Sequence, residues 1–356
     1  MPVLKIMSVV GARPQFIKAA PVSRVLRRTH EEVLVHTGQH YDDNMSEIFF
    51  RELEIPEPDI NLGVGSGPHG EQTGVMMAGI EKVALDVKPD WVLVYGDTNS
   101  TVAAALVAAK LHIKVAHVEA GLRSFDRRMP EEINRVLTDH VSDLLLCPTA
   151  VAIRNLEREG IEHGVHLVGD VMYDAFLFNL EAARKRDGVL KKLGLAPGAF
   201  ALATIHRAEN ADDPERLRSI LDGIDQSGMD VILPLHPRTR ARLNGTPPAR
   251  IRVVDPVGYL DMLALEDAAA VIVTDSGGVQ KEAYFLSKPC VTLRDRTEWT
   301  ETVEAGWNVA VDADSGKIAE ALRSFRPKGV HPNLYGDGHA AEKIAALLRD
   351  KGPASR

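Results

Sequence analysis

The chain has 356 residues, of which 45% are hydrophobic and 26% charged, a composition typical of a globular protein with two domains. Its 42 Lys and Arg residues against 50 Asp and Glu give a net charge of −8, which argues against nucleic acid or an anionic membrane surface as the main partner. Cys147 and Cys290 lie in apolar runs, and neither a metal-ligand spacing, a signal peptide nor a membrane-spanning run is found, so we expect a cytoplasmic protein without disulfides, metal or other cofactor.

Short apolar, β-branched runs alternate with longer helical patterns along the whole chain. This alternation predicts parallel strands that are buried on both faces and connected by helices. Six strands are predicted in the first half, at 4–11, 32–38, 91–97, 115–121, 144–149 and 165–170. Six more are predicted in the second half, at 200–206, 230–236, 251–256, 270–278, 289–294 and 308–313.

Two sets of six strands favour two domains over one large sheet. We place an N-terminal domain at 1–170, a linker at 171–199 and a C-terminal domain at 200–334. The predicted fold class is therefore α/β, with two doubly wound Rossmann-like domains facing a cleft. Ligands of such folds bind at the carboxyl ends of the strands, so the residues that follow each strand are the candidate site.

The first predicted strand ends in Gly11 and leads into a helix that carries Arg13 and Lys18. A glycine turn that opens a helix offers backbone N–H groups and a positive dipole end to an anion. The alternative is that Arg13 and Lys18 are ordinary surface residues. Neither a GxGxxG pattern nor a Walker loop is present. After the second strand, Gln39 and His40 either contact a sugar or cap the next helix.

Acidic side chains follow the third and fourth strands. Asp97 ends the third strand, where capping the next helix is the alternative role. Glu119 lies at the end of the fourth strand, on the same side as His117, and a Glu in an apolar junction is costly unless it is paired or used. Glu131 follows at the start of a helix, where it would also complement the helix dipole. We expect the three carboxylates to converge on one edge of the sheet.

Donors and cations follow the strands of the second half. The turn of small residues after strand 270–278 consists of Ser276, Gly277 and Gly278, and it opens a helix. Such a turn is a second anion cradle, since small residues let a phosphate approach backbone N–H groups. Glu282, one turn into that helix, would accept hydrogen bonds from ribose hydroxyls. The other polar strand-end residues are His206, Arg207 and His236. The alternative to a binding role is that the histidines are partly buried and only structural.

Seven segments follow one another along the chain: GARPQFIKAAP, VLVYGDTNST, HVEAGLRS, PEEINR, TIHRAEN, VTDSGGVQKEA and YGDG. Together they resemble the non-hydrolysing UDP-N-acetylglucosamine 2-epimerases over nearly the whole chain. The resemblance implies the glycosyltransferase-B fold, with a final helix at 335–356 that crosses back to the first domain. It also implies that the protein forms a homodimer, that it binds a UDP-sugar as its substrate and that it needs no cofactor.

The resemblance further assigns roles to individual residues. The implied catalytic residues are Asp97, Glu119, Glu131 and His206. The implied contacts to UDP or substrate are Arg13, Lys18, Gln39, His40, Arg207, His236, Ser276, Gly277, Gly278, Glu282 and Arg294.

The implied reaction eliminates UDP to give a bound 2-acetamidoglucal, protonates the opposite face and adds UDP back. Trp299 stands where many family members carry an Arg. Together with the NMSEIFF and RRMPEE segments, this difference resembles a branch of the family that acts on UDP-2,3-diacetamido-glucuronic acid. That substrate is one alternative. A UDP-sugar glycosyltransferase of the same fold, a hydrolysing relative and a non-catalytic UDP-sugar sensor are the others.

Overall fold

The computed structural model describes residues 3–39, 56–186, 188–235 and 247–352. The chain forms two compact units, one comprising Met1–Leu177 with Asn333–Arg356 and the other Phe178–Pro332. The boundary at 177 falls inside a helix, so the segment 171–199 is divided between the two units. Within the described ranges, no helix combines the length and apolarity needed to cross a bilayer.

Within its described residues, the first unit has seven strands and the helices that connect them. The strands are β1 (Lys5–Val10), β2 (Glu31–His36), β3 (Ile60–Asn61), β4 (Trp91–Tyr95), β5 (Lys114–Val118), β6 (Leu144–Cys147) and β7 (Val165–Leu167). The helices are α1 (Arg13–Leu26), α2 (His69–Val87), α3 (Asn99–Lys110), α4 (Pro130–Val141), α5 (Ala150–Arg158) and α6 (Val171–Arg184), which continues into the second unit.

The described part of the second unit contains six strands. They are β8 (Ala201–Thr204), β9 (Val231–Pro234), β10 (Ile251–Val254), β11 (Val271–Thr274), β12 (Cys290–Thr292) and β13 (Asn308–Ala310). The helices here are α7 (Gly188–Leu193), α8 (Ala208–Ala211), α9 (Pro214–Gln226), α10 (Tyr259–Ala268), α11 (Gly277–Phe285), α12 (Thr300–Glu304) and α13 (Ser315–Ser324). The last described helix, α14 (Ala340–Asp350), belongs to the first unit.

Both sheets are parallel and doubly wound. The strand orders are β3-β2-β1-β4-β5-β6-β7 and β10-β9-β8-β11-β12-β13. In each sheet the order reverses beside the first strand, between β1 and β4 and between β8 and β11, and this switch point is where Rossmann-like folds bind ligands. The predicted α/β fold with two Rossmann-like units is confirmed.

The apolar runs form buried strands because helices cover both faces of each sheet. All five residues of β4 are buried, as are all four of β8 and of β11. The predicted strands were too long at their carboxyl ends. Glu119 adopts φ +70° and Gly96 φ +63°, which leaves the extended region and ends β5 and β4 before these residues. The polar strand-end residues therefore lie in loops.

Candidate active site

The switch point of the first sheet brings together an ammonium group and carboxylates from separate loops. Lys18 of α1 forms an ion pair with Glu119, which follows β5, and the two side chains are only 15% and 10% exposed. Burial lowers the pKa of Lys18, but the charges of Glu119, Asp97 and Asp170 raise it by more, so the net shift is upward. We call Lys18, Asp97, Glu119 and Asp170 the acid–base cluster. Its lysine stays charged among three acids.

Two backbone positions make room for this cluster. A Cβ added to Gly96 would lie 3.2 Å from Nζ of Lys18 and 3.3 Å from Oε2 of Glu119. Glu119 itself has a positive φ, which is uncommon for a residue with a side chain and costs on the order of 1–3 kcal/mol. Such strain persists where the surroundings fix it, and here it turns the carboxylate toward Lys18.

Asp97 is held by side chains of α4. Its Oδ2 accepts a hydrogen bond from Nη2 of Arg135 at 2.5 Å, and its backbone oxygen accepts one from Nδ2 of Asn134 at 2.9 Å. Arg135 also contacts Oε2 of the buried Glu132 at 3.0 Å. Sequence reasoning missed Arg135, because only the fold shows that α4 packs beside the end of β4.

Glu131 and Glu132 are adjacent in the first turn of α4, but only one is buried. Glu132 accepts N–H bonds from Ser124 and Phe125 at 2.8 and 2.9 Å. Burial raises the pKa of Glu132, but these bonds and Arg135 lower it by more, so it stays ionised. Glu131 is exposed, and no hydrogen bond or ion pair within the described ranges joins it to Asp97 or Glu119. The structure thus places two of the three predicted catalytic carboxylates in one cluster, and a catalytic role for Glu131 stays a prediction.

A fully buried histidine lies beneath the cluster. His117 Nδ1 is 2.7 Å from Oδ1 of Asp139, and His117 Nε2 is 2.8 Å from the carbonyl oxygen of Gly96. Both partners present oxygen acceptors, so each ring nitrogen is placed to donate a hydrogen bond. Burial raises the pKa of Asp139, but His117 and Arg123 lower it by more, so its net shift is downward and it stays ionised. The pair fixes the Gly96 turn from below.

The turn after β1 differs from its prediction. The N–H groups of Gly11 and Ala12 donate to Oε1 of the buried Gln15 at 2.8 and 3.0 Å. The expectation that this turn offers those N–H groups to an anion is therefore wrong. Gly11 is required for packing instead, since a Cβ there would lie 2.0 Å from Oγ of Ser100. Arg13, at the start of α1, is exposed.

Of the two polar residues predicted after β2, only Gln39 falls in the described part of the chain. Gln39 is buried, and its Oε1 accepts hydrogen bonds from Oγ and N of Ser100 at 2.7 and 3.2 Å. It thereby binds the first turn of α3. His40 lies outside the described residues, and so does His236 of the second unit.

In the second unit a buried aspartate organises the loop after β8. Both oxygens of Asp275 lie within 3.2 Å of the N–H of His206, and Oδ2 accepts from the N–H of Arg207 and from Nδ2 of Asn210 at 3.1 Å. His206 itself is exposed at the switch point. Sequence reasoning missed Asp275, although its place between a strand and a Ser-Gly-Gly turn was a usable signal.

The predicted anion cradle opens α11. Oγ of Ser276 caps this helix by accepting from the N–H of Val279 at 3.5 Å. Arg294 lies beside it, paired with Glu298 at 2.5 Å, and Arg207 Nη2 is 3.8 Å from the same carboxylate. The structure therefore brings Arg207 and Arg294 to the small-residue turn, as a site for an anion requires.

Glu282 lies deeper along α11. Oη of Tyr259 donates to its Oε1 at 3.0 Å, and burial raises the pKa of this carboxyl. Behind it, Glu266 is fully buried, and neither of its carboxylate oxygens has a hydrogen-bond partner. Burial, followed by the charge of Glu282, raises the pKa of Glu266. The ribose role of Glu282 stays a prediction.

Two doubly wound sheets with polar clusters at their switch points define a two-unit Rossmann-like α/β protein. A sequence profile of the UDP-N-acetylglucosamine 2-epimerase family matches residues 24–349. The chain therefore belongs to the UDP-N-acetylglucosamine 2-epimerase family, which confirms the resemblance found in its motifs.

Several proteins are similar to it over their full length. A UDP-N-acetylglucosamine 2-epimerase homolog of Methanococcus maripaludis is 53% identical, over 98% of this chain and 100% of that protein. The UDP-2,3-diacetamido-2,3-dideoxy-D-glucuronate 2-epimerase of Pseudomonas aeruginosa is 52% identical, over 97% of this chain and 99% of that enzyme. The structure of UDP-GlcNAc 2-epimerase from Methanocaldococcus jannaschii matches with a TM-score of 0.88 at 46% identity. The match covers 98% of this chain and 100% of that one. A structure of that enzyme in complex with UDP-GlcNAc and UDP matches with a TM-score of 0.79 at 47% identity, again over 98% and 100%.

Proposed function

We propose that this protein interconverts UDP-N-acetylglucosamine and UDP-N-acetylmannosamine without net hydrolysis. The acid–base cluster is the observation that carries this proposal, since it places Glu119 and Asp97 at a switch point, the first paired with a charged lysine and the second with Arg135. Family membership and the UDP-GlcNAc held by the similar M. jannaschii enzyme support it.

The chemistry requires the bond to UDP to break first. The proton on carbon 2 is not adjacent to a carbonyl, so no enolate stabilises its loss. As the C1–O bond breaks, its electron pair leaves with UDP and carbon 1 gains oxocarbenium character, which makes the proton on carbon 2 acidic. A carboxylate takes that proton, and the C–H electron pair forms the C1–C2 double bond of the glycal. Positioned proton transfer of this kind contributes about 10²–10⁴-fold.

Return of the proton to the opposite face inverts carbon 2. UDP then adds back to carbon 1, so one proton and one UDP are released and recovered. Inversion needs a proton acceptor on one face and a proton donor on the other, and we assign these two roles to Glu119 and Asp97 of the acid–base cluster. His206 assists the departure and return of UDP, and Arg13, Arg207, Arg294 and the 276–278 turn bind its phosphates, where preorganised donors stabilise the developing charge.

A direct test is to incubate the purified protein with UDP-N-acetylglucosamine and follow the anomeric proton signals by NMR. The proposal predicts a new UDP-linked anomeric signal that reaches a constant ratio to the substrate. Accumulation of free UDP and free sugar in equal amounts would indicate a hydrolysing enzyme instead. No turnover, with UDP-sugar bound, would indicate a sensor.

A second candidate substrate is UDP-2,3-diacetamido-glucuronic acid. The 52% identity to the P. aeruginosa enzyme, nearly equal to the 53% identity to the M. maripaludis homolog, favours it, as does Trp299. The two substrates are distinguished by comparing kcat/KM on each under one set of conditions.

The working form that we propose is a cytoplasmic homodimer. Apolar side chains at 40–48% exposure recur every four residues along α4, at Met129, Ile133 and Leu137, a spacing that places them on one face. The two cysteines are buried and not in a disulfide, which suits a reducing compartment.

Light scattering tests this dimer. Ile133→Lys should halve the molar mass of the wild-type particle, since a charge would be buried at the contact. Leu167→Lys, at an exposed apolar residue of β7, is the matched control. A wild-type protein that elutes with the mass of one chain would contradict the homodimer.

A further inference from the structure

The carboxylate of Glu298 lies against the small-residue turn that opens α11. A Cβ added to Gly277 would lie 2.4 Å from Oε1 of Glu298, well inside any ordinary contact. Beside it, Gly278 borders open space, because the nearest atom that a Cβ there would meet is Oγ of Ser276 at 3.8 Å. The glycine at 277 therefore makes room for a carboxylate that the chain itself supplies.

The surroundings of this carboxylate are those of an anion site. The N–H groups of the first helical turn have no partner inside the helix and carry the positive end of its dipole. Arg294 Nη1 donates to Oε2 of Glu298 at 2.5 Å, and Arg207 Nη2 is 3.8 Å from Oε1. Glu298 thus pairs with Arg294 and Arg207, the two arginines of the second unit that we assign to the phosphates.

The residues that flank Glu298 anchor its loop to α11. Nε1 of Trp299 donates to the carbonyl oxygen of Gly277 at 2.9 Å, and the Trp299 ring lies 4.5 Å from Nζ of Lys281. Oγ1 of Thr297 donates to Oε1 of Gln280 at 2.5 Å. The loop is therefore fixed on both sides, whereas the Glu298 side chain is 44% exposed. Its carboxylate can rotate into solvent without disturbing the core.

We propose that Glu298 sets the affinity for the substrate diphosphate by occupying its site as an internal anion, which the diphosphate must displace. This inference rests on the proposed function, which assigns the 276–278 turn to UDP. Binding then includes the cost of breaking the contacts of Glu298 with Arg294 and Arg207. A protein whose competent state is only partly populated binds its ligand more weakly in proportion to that fraction.

The test compares Glu298→Gln with the wild type by isothermal titration of UDP and, separately, of inorganic pyrophosphate. Removing the internal charge should tighten both ligands by about two- to fivefold, the range expected for a partly exposed ion pair. Glu304→Gln is the matched control. It makes the same charge change on α12, six residues along the chain at an exposed position, and should leave both dissociation constants unchanged.

Weaker or unchanged binding of both ligands by Glu298→Gln would overturn the inference and show that Glu298 positions the arginines or is neutral. A wild type that binds pyrophosphate but not UDP would overturn the proposed function alone, and the pyrophosphate comparison would still decide the role of Glu298. Binding of neither ligand by the wild type and by Glu298→Gln would overturn both.

Discussion

Glu119 is the residue on which the proposed proton transfers depend most. It lies at the switch point, adopts a strained backbone conformation and pairs with Lys18, which keeps a carboxylate available as a base. Glu119→Gln should therefore lower kcat for epimerisation by about 10²–10⁴-fold, the usual contribution of a positioned acid or base.

Initial rates at saturating substrate measure this effect. Glu157→Gln, on the exposed face of α5, is the control for a simple loss of charge. A kcat of Glu119→Gln within a factor of a few of the wild-type value would show that Glu119 takes no part in the proton transfers. Glu131→Gln, assayed beside it, would decide whether the exposed glutamate of α4 also takes part.

His117 supports the same loop from the interior. His117→Gln removes one of the two buried side-chain partners of Asp139, of which Arg123 remains at 2.7 Å, and the loss of a hydrogen bond to a charged group costs about 1.5–3 kcal/mol. Urea denaturation should show a loss of this size in the free energy of unfolding, whereas the exposed His163→Gln should lose little. A loss below about 1 kcal/mol would mean that the hydrogen bonds of the ring do not hold Asp139 and the Gly96 turn as the geometry indicates.

At the scale of elements, the strands other than the two-residue β3 were predictable, and the partners of the site residues were not. Apolar runs indicate strands directly, because a parallel sheet covered on both faces favours apolar side chains. The Gln15 bonds to the Gly11 turn, and the Arg135 contact to Asp97, depend on which elements become neighbours. Nothing local distinguishes Glu131 from Glu132, yet only Glu132 is buried. The predicted strand-end residues that the structure describes thus lie at the carboxyl-terminal edge of each sheet, while their contacts could be found only from the fold.

The start of α14 carries a pH-dependent contact. Asp174 of α6 accepts the N–H of Ala341 at 2.8 Å, and burial raises its pKa from 3.8 to about 6. A raised carboxyl pKa means that the folded protein binds this proton more tightly than the unfolded chain. Its contribution to stability is full below pH 3.8 and is lost as the pH rises through about 6.

Asp174→Asn removes this titration but keeps an acceptor for the N–H. The variant should be more stable than the wild type at pH 8 by on the order of 2 kcal/mol, and the difference should vanish at pH 3.5. Free energies of unfolding at the two pH values measure it. A difference that is the same at both values would show that Asp174 does not titrate with a raised pKa.

At the scale of the whole molecule, each unit has its own sheet, core and functional edge. The first supplies the carboxylates and the lysine, and the second supplies the helix N-terminus and arginines suited to phosphates. This division matches the two halves of the proposed reaction, proton transfer at carbon 2 and departure of UDP from carbon 1.

Epimerisation in deuterium oxide tests the central claim most directly. If carboxylates remove and return the proton at carbon 2, that proton exchanges with solvent through the titrating groups. Product isolated from a reaction with UDP-N-acetylglucosamine should then carry deuterium at carbon 2, seen as loss of the H2 signal and simplification of the anomeric signal. Epimerised product that retains the original hydrogen at carbon 2 would contradict proton transfer through the acid–base cluster.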